Sequence, residues 1–239
     1  MDGAQALITT LKNLGIKHIF GYSGGAALPI FDALETVESD IKFVLSRHEQ
    51  GACHMADGYA RATGKPAAVL VTSGPGAGNT ITGIMTAQMD SIPMIILCGQ
   101  QVTWMLGKDA FQETDTFGLT MPIVKHNYLV RETNDLPRVT KEAYHIATTG
   151  RPGPVLIDIP KDVSQNEFTG DIDPQFKLPG YDPESAFEID EDSVLQAVKI
   201  ILNSKRPVIL AGHGTMIARA DKELMELATT LNCPVTSTL

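Results

Sequence analysis

Basic residues are the first shortage. Nineteen Lys and Arg stand against 28 Asp and Glu in 239 residues, a formal charge of -9, with no cationic cluster anywhere. Phosphate neutralisation dominates nucleic-acid affinity, so nucleic acid is not an expected partner. Long apolar runs are missing too. The longest, 92–98, is broken by Pro93 and has the length of a buried strand, far short of a membrane span, so no membrane partner is expected either. Cysteine is sparse: Cys53, Cys98 and Cys233 form an odd set without a CxxC pair. That argues against a disulfide framework and for a reducing, cytoplasmic setting. The N-terminus carries Asp2 and an amphipathic pattern instead of a basic stretch followed by an apolar one, so no signal peptide is expected. What is present is ordinary for a globular protein, 43% apolar and 20% charged. A chain of this length buries roughly 70–75% of its unfolded surface and so has a proper core.

Helical and strand patterns alternate along the chain. Ala4, Leu7, Ile8 and Leu11 keep helical spacing up to Gly15. Strands are predicted at 19–22, 41–45, 67–71, 93–97 and 155–159, and helices at 49–63 and 136–148; residues 73–79 read as a glycine-rich turn opening a further helix. Continuously apolar strands alternating with helices imply an α/β fold, a parallel sheet flanked by helices on both faces. In such a fold the loops at the carboxyl ends of the strands carry the site. Residues 165–188 break the pattern with Pro174, Pro179, Pro183 and several acids, and read as a linker. A second alternation over 189–239 (helices 191–202 and 219–231, strands 207–211 and 234–236, a Gly212-His213-Gly214 turn) reads as the start of a second α/β domain, too small to close a core.

Five segments are candidates for chemistry. Arg47-His48-Glu49-Gln50-Gly51 lies at a strand-to-helix junction, where an acid is ordinarily a partner of the helix dipole. Zinc is ruled out there by spacing, since His48 and His54 are six apart and not four. Residues 72–79 (TSGPGAGN) follow a strand and open a helix, which suits close approach of a ligand, but the glycines at 74, 76 and 78 fit neither the dinucleotide fingerprint nor a P-loop. Residues 107–113 (GKDAFQE) form a polar loop with no chemistry of its own to name. Residues 150–163 (GRPGPVLIDIPKDV) frame one strand with prolines, and Arg151 there either stiffens the entry or clamps an anion. The Gly212-His213-Gly214 turn admits a nucleotide only as a weak reading.

Jointly and in order, FGYSGGA (20–26), RHEQGACHMADGYARATGKP (47–66), VTSGPGAGN (71–79), GKDAFQE (107–113) and GRPGPVLIDIPKDV (150–163) resemble the large catalytic subunit of acetolactate synthase, of the thiamine-diphosphate-dependent superfamily. The resemblance covers essentially the whole chain. It implies a pyrimidine-binding domain over 1–164, a linker over 165–188 and the incomplete opening of the central, FAD-associated domain over 189–239. The implied reaction decarboxylates pyruvate and transfers the two-carbon unit to a second 2-ketoacid, pyruvate or 2-ketobutyrate, in branched-chain amino acid biosynthesis.

Residue roles follow from the resemblance alone. Glu49 matches the glutamate that hydrogen-bonds the aminopyrimidine ring of thiamine diphosphate so that the coenzyme activates itself. Such a carboxylate holds or passes a proton near neutral pH, which burial favours. Tyr22, Gly25 and Asn79 would line the pyrimidine pocket. Gln112, with Phe111 beside it, would face the reacting end and the acceptor. Arg151 would contact a structural FAD, and Lys161 would lie near the substrate channel. Mg2+ is implied as well, but its GDG…N ligands are absent from this chain, which therefore offers no metal ligands and is expected to be inactive in isolation. A homodimer or homotetramer through the pyrimidine domain is implied, with a regulatory small subunit as a further candidate partner. The sequence departs from the family pattern at Ser23, Cys53, Gly78, Gln101, Val102 and Lys108. The alternatives are a pyruvate oxidase-like or sulfoacetaldehyde acetyltransferase-like sibling, a non-catalytic oligomerisation module, or a Rossmann dehydrogenase.

Overall fold

The computed structural model describes residues 1–181 and 189–238. It divides into two units, Met1–Asp182 and Pro183–Leu239.

In the first unit the elements run α1 (Gly3–Asn13), β1 (His18–Gly21), α2 (Leu28–Thr36), β2 (Lys42–Leu45), α3 (Glu49–Thr63), β3 (Ala67–Val71), α4 (Pro75–Gly78), α5 (Ile81–Met89), β4 (Met94–Gln100), α6 (Thr116–Thr120), β5 (His126–Leu129), α7 (Leu136–Thr148), β6 (Pro154–Pro160) and α8 (Lys161–Gln165). The six strands form one sheet in the order β2-β1-β3-β4-β6-β5, every pair parallel. β3, β4 and β6 are buried throughout, which accounts for their largely apolar sequence; Gln100 and Asp158 are the polar exceptions. One face packs α1, α2 and α7 through Leu7, Ile8, Leu11, Ile30, Leu136 and Ile146. The other packs α3 and α5 through Ala52, Cys53, Ala56 and Ile84.

Local chemistry sets the ends of the helices. Asp2 caps α1, its carboxylate accepting from the Gln5 amide at 2.8 Å while Gln5 Oε1 accepts from the Asp2 amide at 3.1 Å. His48 caps α3, its Nδ1 accepting from the Gln50 amide at 3.1 Å, and Gly64 closes that helix. α3 and α5 touch backbone to side chain: a Cβ at Gly83 would fall 2.3 Å from Cys53 Cβ. Gly83→Ala is therefore expected to force the two helices apart at a cost of about 1–3 kcal/mol, read as a drop of several degrees in the thermal unfolding midpoint.

Among the described residues of the first unit, four elements lie outside the predicted pattern: α2, α6, β5 and α8. β5 is the instructive one. It pairs with β6 alone, and His126-Asn127-Tyr128-Leu129 is too polar for the apolar-run signature of a central strand. Its buried Asn127 is satisfied by the Phe117 carbonyl at 2.7 Å and Thr120 Oγ1 at 3.0 Å. β4 also runs three residues past the predicted end, which places Gly99 and Gln100 inside the sheet.

Residues 166–181 are irregular, yet fastened to the first unit. Phe168 donates its amide to the Met1 carbonyl at 3.0 Å, Lys141 Nζ reaches Asp173 Oδ1 at 2.5 Å and the Pro174 carbonyl at 2.8 Å, and His145 Nε2 lies 2.8 Å from the Tyr181 carbonyl oxygen. The rest of the predicted linker, 182–188, lies outside the described residues.

The second unit has α9 (Glu191–Leu202), β7 (Ile209–Ala211), α10 (His213–Ile217), α11 (Asp221–Leu231) and β8 (Val235–Ser237), with β7 and β8 parallel. The Gly212-His213-Gly214 segment is the first turn of α10. Among the described residues no helix is long and apolar enough to cross a membrane.

Candidate active site

The strand order locates the crevice before any side chain is considered. The chain leaves β1 towards β2 on one side, and β3 then lies on the other side of β1. The carboxyl ends of β1 and β3 therefore flank a topological switch point, where adjacent loops diverge and leave an opening. Residues 22–26 follow β1 and residues 72–79 follow β3. The Ala26 amide donates to Thr72 Oγ1 at 3.3 Å and stitches the two loops together.

Glu49 stands at this opening. It is the first residue of α3, on the loop that follows β2, and is only 8% exposed. Asn79 Nδ2 donates to Glu49 Oε2 at 3.0 Å. The other carboxylate oxygen faces the glycine-rich turn, since a Cβ at Gly76 would lie 3.5 Å from Glu49 Oε1. One helical turn on, burial pushes the Cys53 thiol up to about 12, with the negative Glu49 adding to the effect. Cys53 is therefore an inert packing group and not a nucleophile at neutral pH.

The turn itself fits a ligand that comes close to backbone. A Cβ would meet nothing within 4 Å at Gly25 or Gly78, so both face open space, while Ser73 Oγ is buried with no hydrogen-bond partner among the described residues. Gly74 has φ +59°, and a Cβ there would fall 2.5 Å from the Gln112 carbonyl oxygen. The loop of residues 101–116 is thus folded onto the turn. Gln112 has φ +56° and Phe111 is 82% exposed, its carbonyl oxygen held by Gln101 Nε2 at 2.5 Å. Gln101 departs from the family pattern, and this bond is its structural consequence.

The structure brings Glu49 and Asn79 into contact and seats the Gln112 backbone on Gly74. Tyr22, 42% exposed, and Gly25 follow β1 on the same edge. Lys161 is half-buried at the carboxyl end of β6, again on that edge but two strands beyond β3. Arg151 is elsewhere. It precedes β6, so it lies at the amino edge of the sheet, about a strand length of 20 Å from the carboxyl edge. It is exposed, with Nε donating to Ser91 Oγ at 2.7 Å and Nη2 to the Met89 carbonyl at 3.2 Å. In the second unit, Gly212 and His213 line a depression of about 290 Å³ between β7, β8 and the α10–α11 pair. Among the described residues no group of three His, Cys, Asp or Glu is placed to hold a metal.

A family profile described as "Thiamine pyrophosphate enzyme, N-terminal TPP binding domain" matches residues 1–119, and another described as "Thiamine pyrophosphate enzyme, central domain" matches residues 194–239. The chain belongs to the thiamine pyrophosphate enzymes. The six-stranded parallel sheet is their coenzyme-binding α/β domain. Among curated relatives, the acetolactate synthase large subunits of Buchnera aphidicola subsp. Schizaphis graminum and of Lactococcus lactis subsp. lactis are each 48% identical, over 241 and 239 residues. The probable acetolactate synthase large subunit of Methanocaldococcus jannaschii is 49% identical over 242 residues. Each similarity covers 100% of this chain but only 40–42% of the relative. The chain thus spans well under half the length of the thiamine pyrophosphate enzymes it matches.

Two buried polar residues beside this edge escaped the sequence reading, Gln100 and Asp158. The signal for Asp158 was available: it is the only acid within the apolar run of β6. Gln100 carried none, because its burial depends on β4 extending past the apolar stretch.

Proposed function

We propose that this chain supplies the pyrimidine half of an acetolactate synthase active site. That enzyme condenses pyruvate, after loss of CO2, with a second 2-ketoacid, pyruvate or 2-ketobutyrate. One observation carries the reading. Glu49, on a helix start where acids are ordinarily solvated, is buried at the switch-point crevice, with one oxygen on Asn79 and the other over the glycine-rich turn.

The donor set suits thiamine diphosphate, the pyrophosphate of the family description. Gly25 and Gly78 leave room for a ring, Ser73 Oγ and Asn79 offer polar contacts, and Glu49 offers a carboxyl that holds or passes a proton at a ring nitrogen. When bound, the coenzyme supplies a carbon nucleophile and an electron sink for decarboxylation of a 2-ketoacid. Asn79 orients the Glu49 carboxyl, the packed glycine-rich turn keeps water from it, and Gln112 with Phe111 faces the acceptor. Lys161, on the same edge, stands towards the substrate channel. FAD belongs to the proposal as a structural group touching Arg151. Mg2+ belongs to it too, with ligands supplied from outside these 239 residues. So do a homodimer or homotetramer through the first unit, a regulatory small subunit as partner, a cytoplasmic location, and the division into a pyrimidine domain (1–164), a linker and a central domain (189–239).

The test is a product assay on the full-length protein supplied with pyruvate, thiamine diphosphate, Mg2+ and FAD. Acetolactate is the expected product. Acetyl phosphate with peroxide, or no consumption of pyruvate, overturns the proposal. Within the same assay, Asn79→Ala leaves a Glu49 oxygen unpaired and is expected to weaken thiamine diphosphate binding about ten-fold, read by titration calorimetry.

A further inference from the structure

A buried polar network under residues 101–116 has no part in the chemistry above. Gln100 closes β4 and is 2% exposed. Its Nε2 donates to the Thr114 carbonyl oxygen at 2.9 Å and to Asp158 Oδ2 at 3.0 Å, with Thr116 Oγ1 at 3.5 Å, and its Oε1 accepts from the Gln101 amide at 2.8 Å. Both N–H donors of the carboxamide and one lone pair of its oxygen are therefore used. Asp158, on β6 and also 2% exposed, stands beside Cys98 of β4, and its Oδ1 meets no partner among the described residues. A valine would fill this strand position without the cost of a buried carboxyl. What the acid does hold is Gln100, and through it the returning limb of the loop.

The outgoing limb is held in the same manner. Asp162 of α8 accepts from the Thr103 amide at 2.9 Å and from Thr103 Oγ1 at 2.6 Å. Two acids four residues apart, Asp158 within β6 and Asp162 just after it, thus tie down both limbs of one loop. Between the ties lie Phe111, whose carbonyl is held by Gln101, and Gln112, whose carbonyl rests on Gly74. Thr114 is two residues from Gln112, so a shift of its carbonyl moves Gln112 with it.

We propose that Gln100 and Asp158 are positioning residues: from inside the sheet they set where Phe111 and Gln112 stand over the glycine-rich turn, and so which second 2-ketoacid is accepted. The substrate half of this inference rests on the acetolactate synthase reading; the loop tie does not. Neither residue reaches the surface, so each acts through the loop backbone. Burial pushes the Asp158 carboxyl up to about 7, with Asp115 adding to the rise and the Gln100 bond opposing it. An asparagine at 158 mimics the neutral acid and keeps an oxygen for Gln100.

The experiment uses the full-length protein and the variants Gln100→Ala, Asp158→Val and Asp158→Asn. Hydrogen exchange by mass spectrometry follows residues 107–116, with β3 as the internal control for folding. A competition assay with pyruvate and 2-ketobutyrate together gives the product ratio. Gln100→Ala and Asp158→Val are expected to raise loop exchange about ten-fold, the factor for a hydrogen bond lost to a buried partner, with β3 still protected. The product ratio then shifts about three-fold or more, and KM for the second ketoacid rises by more than kcat falls. Asp158→Asn keeps both at the wild-type level. Should β3 lose protection in Gln100→Ala, Gln100→Met, equal in volume and without donors, takes its place. Unchanged loop exchange with β3 intact overturns the tie, and a loosened loop with an unchanged product ratio overturns its role in selection. If the wild type forms no acetohydroxy acid, the functional reading has failed, and the exchange measurement alone decides the tie.

Discussion

Glu49→Gln is expected to lower kcat/KM for acetolactate formation by about 10²–10⁴-fold while the fold stays intact. A carboxamide has the shape of the carboxyl it replaces and still offers Asn79 Nδ2 an acceptor, so the bond at 3.0 Å survives. What is lost is the capacity to hold and pass a proton. A surface acid exchanged for its amide changes little, and a cap or dipole partner is worth well under about 1 kcal/mol. The size of the effect therefore separates a catalytic carboxyl from a helix-start acid. Steady-state rates on the full-length protein give the number, and the thermal midpoint gives the control. A variant that keeps more than a tenth of the wild-type rate would remove Glu49 from the chemistry.

The second large effect is on stability and concerns Asp158. Burial raises its carboxyl to about 7 in the folded protein, against about 3.9 in an unfolded chain. Below about pH 4 the group is neutral in both states and costs nothing. As the pH rises towards 7, the unfolded chain gives up this proton while the folded one keeps it, so unfolding gains and stability falls. Above 7 the full penalty is present. Asparagine carries no such proton. Asp158→Asn is thus expected to match the wild type near pH 4 and to exceed it at pH 8 by on the order of 2–4 kcal/mol. Urea unfolding of the two proteins at pH 4.5, 6 and 8 tests this. Parallel stability curves across that range would mean that Asp158 ionises as an ordinary surface acid.

Much of the crevice that holds the candidate site was legible in the sequence because its parts are local. A strand, a glycine-rich turn and a helix start are read from a dozen adjacent residues. Glu49 sits where α3 was expected to begin, and α3 spans the 49–63 stretch read from its alanine-rich helical pattern and closing Gly64. The helix over 136–148 and the strand over 67–71 were legible for the same reason. β5 was not, since an edge strand with polar residues has no apolar run to announce it. Residues 166–181 read as a proline-broken connection, and nothing in their composition indicates that Lys141 and His145 of α7 hold them down.

The one-dimensional pattern determined the parallel α/β class and the order of turn, loop and helix starts that form the crevice, because each is written in short-range periodicity; the family came from the resemblance of five segments taken together. Tertiary structure alone decided the rest. It placed Asn79 on Glu49 across 30 residues of chain, put Arg151 at the far edge from both, and joined Gln100 to Asp158 across 58. Such pairings depend on which strands lie side by side. That order is set by how crossovers pack against both faces of the sheet, a property of the whole domain and of no single segment.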